Sequence, residues 1–330
     1  MNRREILVLR ALGLGDLLTA IPALRALRRA EPDARITLAA PNWLTQLADE
    51  IDAVDRLLPT PGLTRLEWSG APPELSVNLH GRGPQSIDLL TELRPSELFS
   101  HASRHHPRVR GPQWQEEQHE VRRWCRMLEH FGIATDPDDL NLPKPMRGGP
   151  APGAVVVHPG ASHRARCWPA QRYGEVASRL AEAGAHVVVT GSASERELAS
   201  VVARVAGLPE HHVLTGNTGL SSLAALIAHA RMVVCGDTGV AHLATAYGTP
   251  SVVLFGPVSP AHWGPPPDRR QHQVLWAGSI GDTFADRPDP GLLQITADQV
   301  IGAVESYWSS GGESRSVKGG AACARIGSAS

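Results

Sequence analysis

The sequence carries no excess of charge of either sign. Its 330 residues include 32 Lys and Arg against 33 Asp and Glu, a formal net charge of −1. No whole-molecule field exists to draw in a nucleic-acid backbone. Nor does any apolar run reach the roughly 20 residues needed to span a bilayer. Arg3 and Arg4 precede the apolar Ile6–Leu9 in the manner of a signal peptide. That run is too short, however, and it breaks at Arg10, Gly13, Gly15 and Asp16. Cysteine is scarce: Cys125, Cys167, Cys235 and Cys323 lie far apart and form no CxxC pair. This is the pattern of reduced thiols in a cytoplasmic protein.

What is present is the composition of a folded globular chain, with 42% hydrophobic and 20% charged residues. The length exceeds one ordinary compact core, so two domains are expected. Two local basic clusters stand out against the neutral whole: Arg25, Arg28 and Arg29, and then Arg104, His105, His106, Arg108 and Arg110. Either could solvate a face, or meet an anionic acceptor or a membrane surface.

Apolar runs alternate between strand and helix character. Glu5–Arg10 is β-rich, Asp16–Ala30 has helical spacing, and Arg35–Ala40 is again strand-like; together they make a βαβ unit and imply a parallel sheet. Leu75–Leu79 forms a third strand, and His119–Phe131 a helix with Val121, Trp124, Cys125, Leu128 and Phe131 on one side. Residues 143–152, rich in Pro and Gly, have the composition of a linker. The rhythm then restarts, with strands at Ala154–His158, His186–Thr190, Arg231–Cys235 and Pro250–Phe255, the last clear strand. Helices are expected at Ala170–Ala183, Ser194–Ala206, Leu220–Ala230, Gly239–Tyr247 and Thr296–Trp308, the last capped by Thr296. From Ser309 onward Gly, Ser and Ala dominate without periodicity, as in a disordered tail. The expected division is therefore 1–147, 148–308 and a tail of 309–330, with a cleft between two α/β domains where function should sit.

Three loops could carry chemistry there. Gly13-Leu14-Gly15-Asp16 starts like a dinucleotide fingerprint, but Leu18 occupies the third glycine position. Ala39 and Ala40, not a carboxylate, close the second strand. Both features speak against a nicotinamide cofactor. Asp16 could cap the following helix or take a proton from a substrate hydroxyl. The second loop, His158–Pro169, joins Gly160, Ala161 and Ser162 to Arg164 and Arg166, a combination able to hold a diphosphate through amides, a hydroxyl and guanidinium. A surface loop with solvated arginines is the plainer reading, preferred for Arg164. The third, Cys235–Leu243, runs from a buried strand into a helix whose first amides, at Thr238, Gly239 and Val240, form a natural phosphate site. Asp237 could cap that helix or bind sugar hydroxyls, and His242 follows one turn later.

Taken together these segments resemble glycosyltransferase family 9, the ADP-heptose:lipopolysaccharide heptosyltransferases. The matching motifs are Leu14-Gly-Asp16, Ile21-Pro-Ala-Leu24, the strand end Asn78–Ser86, Pro159-Gly-Ala161 and Arg166-Cys-Trp-Pro169. The most specific block comprises Asp237-Thr-Gly239, His242-Leu-Ala244, Gly248-Thr-Pro250, Leu254–Pro257 and Trp263-Gly-Pro265. The resemblance runs from about residue 5 to residue 308. It implies an α/β GT-B fold, two Rossmann-like domains facing a central cleft, and an inverting transfer that needs no metal and no cofactor.

Carried over by position, Asp16 is the implied general base. Ser162, Arg166, Glu195, Asp237, Thr238, Gly239 and His242 are on the donor side; Gly15, His80 and Arg82 are on the acceptor side. The implied partners are a nucleotide-sugar donor, ADP-linked and heptose-like, and a glycan or glycolipid acceptor of the lipopolysaccharide core at the inner face of the cytoplasmic membrane, with no nucleic acid. Arg166 stands where the family usually has lysine, and Asn78 where it commonly has an acidic residue. Asp136-Pro-Asp138 has the form of a metal-binding DxD but lies between prolines, as in a loop. Two rivals share the architecture: a NAD-dependent oxidoreductase, which would need the missing glycine fingerprint, and a catalytically silent sugar-nucleotide-binding protein.

Overall fold

The computed structural model describes residues 3–216 and 218–312. The first half runs β1 (Glu5–Leu9), α1 (Leu14–Thr19), α2 (Ile21–Ala30), β2 (Arg35–Ala40), α3 (Thr45–Glu50), β3 (Arg56–Pro59), β4 (Leu75–Asn78), α4 (Gln85–Glu92), β5 (Glu97–Phe99) and α5 (Glu120–His130). After an irregular stretch across the Pro- and Gly-rich segment come β6 (Val155–His158), α6 (Ala170–Glu182), β7 (Val187–Val189), α7 (Arg196–Val205), α8 (Leu220–Ala228) and β8 (Met232–Gly236). The second half closes with α9 (Gly239–Tyr247), β9 (Ser251–Phe255), α10 (Pro260–Trp263), β10 (His272–Trp276) and α11 (Ala297–Tyr307).

Each half builds one five-stranded sheet, ordered β3-β2-β1-β4-β5 and β10-β9-β8-β6-β7. All pairings are parallel. The central strands β6, β8 and β9 are buried at every residue. That is why they read as unbroken apolar runs: helices cover both faces of such a sheet. In each sheet the first strand lies next to the point where strand order reverses, β1 beside β4 and β6 beside β8. Register sets Leu9 opposite Asn78 and His158 opposite Cys235, so the loops leaving each pair emerge side by side. Crevices of this kind, at the carboxyl ends of the strands, are where open α/β sheets bind ligands.

The expected single helix over 16–30 is two helices. Pro22 sits in the first turn of α2, where it lacks an N–H and its ring would clash with a continuing helix, so the chain restarts at Ala20. The strand at 250–255 is not the last, because β10 pairs with it outside. The strands absent from the sequence reading, β3, β5 and β10, all lie on sheet edges and are only partly buried. Half-covered edges do not leave a full apolar run in the sequence. The helix expected at 194–206 opens as a 3₁₀ turn, Ala193–Glu195, before α7 begins.

A single buried cluster crosses from one half to the other, joining Ile6, Val8, Leu24 and Trp124 to Val240, Leu243, Ala244 and Phe255. Polar ties reinforce it. The Tyr247 hydroxyl donates to Glu50 Oε2 at 2.8 Å, and Arg269 Nη1 to Asn141 Oδ1 at 2.9 Å. His119 accepts from Val121 N through Nδ1, so its Nε2–H donates to the Gly264 carbonyl at 2.9 Å. The Arg25, Arg28 and Arg29 cluster is largely committed internally, to Asp139 and Asp55.

At the far end, Thr296 and Gln299 cap α11 reciprocally: Gln299 N donates to Thr296 Oγ1 at 3.2 Å and Thr296 N to Gln299 Oε1 at 2.9 Å. Thr296→Ala should cost about 1 kcal/mol, read in thermal denaturation as a fall of roughly 2–4 °C in Tm. Of the expected tail, 309–312 complete a π turn, Trp308–Gly312, at the end of α11. Residues 313–330 lie outside the described residues.

Candidate functional site

In the first half the site begins where β1 gives way to α1. Gly13 takes the N-cap position and Asp16 falls three residues later. Asp16 therefore does not cap the helix from the front; its Oδ2 reaches back to accept from Gly13 N at 3.2 Å. Its carboxylate remains about a quarter exposed, with a side-chain accessibility of 27%. Beneath it lies Arg10, buried to 1% exposure. Arg10 Nε donates to the Asp16 carbonyl at 2.9 Å, and Nη2 stands 3.4 Å from Asp16 Oδ1. Burial pushes the Asp16 carboxyl above the ordinary range against the pull of Arg10, and Glu120 pushes the same way.

In the second half β6 delivers His158, whose Nδ1 lies 3.0 Å from Thr190 Oγ1 at the base of the loop. The loop then turns through Arg164–Arg166 as a short 3₁₀ helix. Arg164 is exposed, as the solvated-loop reading expects. Arg166 instead turns inward, its Nη1 3.5 Å from Asp237 Oδ2, and its Nε is buried without a partner. Asp237 is only 4% exposed. Burial pushes its carboxyl up, Arg166 draws it down, and Asp16 across the cleft pushes it up again. Asp237 does not cap α9. Thr238 holds that position, and no side chain caps the helix, so the first amides of α9 are left for another acceptor.

Glu195 meets the same loop from the other side. Its Oε2 accepts from Ser192 N at 2.7 Å and from Ser192 Oγ at 2.8 Å. A Cβ at Gly160 would stand 2.0 Å from Glu195 Oε1, so this approach of carboxylate to backbone requires glycine there.

The two halves meet through a pair of glycines. A Cβ on Gly15 would lie 2.7 Å from His242 Cδ2, and one on Gly239 2.8 Å from Leu14 Cβ. Their absence lets the starts of α1 and α9 touch. Burial drives His242 down to about 4, so its ring is neutral near pH 7. The ring stands edge-on to Trp263, 6.0 Å between centroids.

A cavity of about 760 Å³ opens between these elements. Gly15 and Asp16 line it from one side, and Ser162, Arg166, Glu195, Asp237, Thr238, Gly239 and His242 from the other. Of the residues singled out in the sequence, His80 and Arg82 do not line it. Arg82 pairs with Glu116 on the surface. His80 follows β4, with a buried Nδ1 that has no partner, and burial lowers it to about 4. Arg10 and Glu120, which organise the floor beneath Asp16, were not singled out. Arg10 closes an apolar strand and so reads as its end, while Glu120 is 110 residues away in sequence and carries no local signal. Asp136 and Asp138 lie in a turn, the Asp138 amide donating to Asp136 Oδ1 at 3.1 Å. Among the described residues no three His, Cys, Asp or Glu side chains are grouped to hold a metal ion.

The sequence profile of glycosyltransferase family 9 (heptosyltransferase) matches residues 110–279, just over half of the chain. The chain belongs to glycosyltransferase family 9. It is therefore a glycosyltransferase, and the matched span contains the Arg166, Glu195, Asp237 and His242 side of the cavity. No curated protein sequence matches it.

Solved structures resemble this family 9 chain over nearly its whole length. A family 9 glycosyl transferase from Veillonella parvula superimposes with a TM-score of 0.75 at 20% identity, covering 94% of this chain and 98% of the other. The E. coli ADP-heptose lps heptosyltransferase II gives 0.72 at 22% identity, covering 93% and 99%. The E. coli heptosyltransferase WaaC, solved with ADP, gives 0.67 at 20% identity, covering 92% and 99%. The fold is thus the GT-B arrangement of two facing parallel α/β sheets. No helix among the described residues is long and apolar enough to cross a membrane.

Proposed function

We propose that the protein transfers a heptose-like sugar, with inversion, from an ADP-linked donor to a hydroxyl of a glycan or glycolipid of the cell envelope, and that it needs no metal ion. The observation carrying this reading is the opposition, across one cavity, of Asp16 to Arg166, Asp237 and the uncapped start of α9. In the step proposed, the acceptor oxygen attacks the anomeric carbon while the Asp16 carboxylate takes its proton. The bond from that carbon to the diphosphate breaks, and the electron pair leaves with the diphosphate. Charge then grows on the departing oxygens, where Arg166 and the first amides of α9 are already placed to receive it. Glu195, seated against Gly160, is positioned to accept from the ribose hydroxyls.

The ADP named with the WaaC structure belongs to that protein; here it supports the choice of nucleotide. The end of β2, buried at Ala39 and Ala40, offers no carboxylate where a nicotinamide enzyme would hold its ribose. Acceptor chemistry at the inner face of the cytoplasmic membrane belongs to the same proposal.

Thermal denaturation of the purified chain with ADP, GDP, UDP, dTDP and NAD, each with and without magnesium and EDTA, tests the donor side. ADP alone should raise Tm, equally with EDTA; at about 100 times its Kd the gain is about 2.7 kcal/mol. Stabilisation by another nucleotide would change the donor, dependence on magnesium would remove metal independence, and a response to NAD alone would overturn the reading.

A further inference from the structure

Beneath the cavity, and not among the residues that line it, lies a buried set of charges. Glu120, the first residue of α5, is 8% exposed, yet every part of its carboxylate is engaged. Oε1 accepts from Arg10 Nη2 at 3.0 Å and from Trp124 Nε1 at 2.9 Å; Oε2 accepts from Arg123 Nε at 3.0 Å. The rest of the Arg123 guanidinium is spent on the carbonyls of Gln115, Glu116 and Gln118. Arg10 is divided differently. It grips the backbone on both sides of the crevice, at the carbonyls of Asp16 and Leu79, and donates to Thr19 Oγ1 at 3.2 Å. Its Nη2 is nearer to Glu120, at 3.0 Å, than to Asp16 Oδ1, at 3.4 Å.

We propose that Glu120 is a positioning residue for Asp16: it supplies the counter-charge that lets Arg10 fix the Asp16 segment without capturing the Asp16 carboxylate in a tight ion pair. The inference rests on the reading of Asp16 as the base. A buried guanidinium with no other anion would take Asp16 as its partner, and a carboxylate held so closely makes a poor proton acceptor. With Glu120 in place Arg10 is already neutralised, and the Asp16 carboxylate stays directed at the cavity, held by Gly13 N at 3.2 Å and only by a long 3.4 Å contact from Arg10 Nη2. The titratable and charged groups facing Asp16 are Arg10 and Glu120 below, Asp237 with Arg166 across the cleft, and the neutral His242 on α9. Only Glu120 among them is positioned to offset Arg10 from behind.

The test reads Asp16 directly and needs no sugar donor. Carbon-13 labelling of aspartate carboxyls, with the Asp16 signal assigned by its loss in Asp16→Asn, gives its titration midpoint. Glu120→Gln should lower that midpoint by about one unit or more, since an unopposed neighbouring cation lowers a carboxylate by about 1–3 units. Arg10→Gln should raise it by a similar amount, and the double variant should return it to within about half a unit of the starting protein. A merely structural cement would give shifts of one direction or none, and either result overturns the inference.

Should Glu120→Gln fail to fold, Arg10→Gln compared with the double variant still isolates the effect of Glu120, because removing both members of a buried pair is better tolerated than removing one. Failure of both charge-removing variants of Glu120 to fold makes it a cement and overturns the proposal. Turnover retained in Asp16→Asn would instead remove the base reading, whereas turnover lost there with an unmoved titration in Glu120→Gln removes only this inference.

Discussion

Replacing Asp16 by Asn is expected to lower turnover by about 10²–10⁴-fold while leaving the affinity for ADP within about twofold. Asparagine keeps the size of the side chain and can still accept from Gly13 N, so the start of α1 should hold its shape. What disappears is the oxygen able to take a proton. Because Asp16 belongs to the first half, and Arg166, Asp237 and His242, the residues proposed for the donor, to the second, binding and turnover should separate. Isothermal titration with ADP beside a steady-state assay of sugar transfer reads both quantities. Equal losses in the two would mean that Asp16 shapes the donor site, and unchanged turnover would end its role as a base. A protein that only binds sugar nucleotides would have no turnover to lose. In the parent enzyme activity should rise with pH as Asp16 loses its proton. The midpoint should lie above that of a free aspartate, because burial pushes this carboxyl up.

Arg166→Gln is expected to fail differently. Its guanidinium is the cation nearest Asp237, at 3.5 Å, and Asp237 is almost wholly buried. Without Arg166, burial and the charge of Asp16 both push the Asp237 carboxyl up. It should then hold a proton to higher pH, and the second half would lose a cation. A leaving diphosphate gathers negative charge as its bond breaks, so the loss should be greater in the transition state than in the ground state. We expect kcat to fall by about 10²–10³-fold, the magnitude typical of losing one preorganised donor, with a smaller loss of ADP affinity. Arg166→Lys should recover part of the rate: it restores charge, but as a single point and not a planar fork. A variant losing ADP affinity with kcat unchanged would place Arg166 in ground-state binding alone.

How much of this was legible in advance differs by kind of residue. The loops that line the cavity from the second half stood out because their residue types are local. Small residues at Gly160–Ser162 followed by arginine, and a strand running straight into a helix at Cys235–Gly239, mark a candidate anion site from a few neighbouring positions. The central strands were readable for a similar reason, being buried on both faces. The edge strands β3, β5 and β10, half covered, left weaker patterns. The break between α1 and α2 was present in the sequence as Pro22 but was outweighed by the apolar spacing around it.

Residue type and position left two roles open for each of two carboxylates. Asp16 and Asp237 both precede or open helices, and each could have been a cap. Only the folded chain makes Asp16 reach back to Gly13 and turns Asp237 toward Arg166, leaving α9 uncapped. Arg164 and Arg166, two residues apart, differ in the same way: a short 3₁₀ turn exposes one and brings the other to Asp237.

By itself, then, the sequence determined that the chain makes parallel α/β sheets, where the loops at their carboxyl ends fall, and which small and charged residues those loops carry, because each of these depends on neighbours within a few positions. The tertiary structure alone decided that Gly15 meets His242 and Gly239 meets Leu14 across the cleft, and that Glu120 lies behind Arg10 at a separation of 110 residues. Contacts of that length are set by how two sheets and their helices pack. No local pattern in the sequence encodes the distance between a carboxylate and a guanidinium that meet only after the chain has folded.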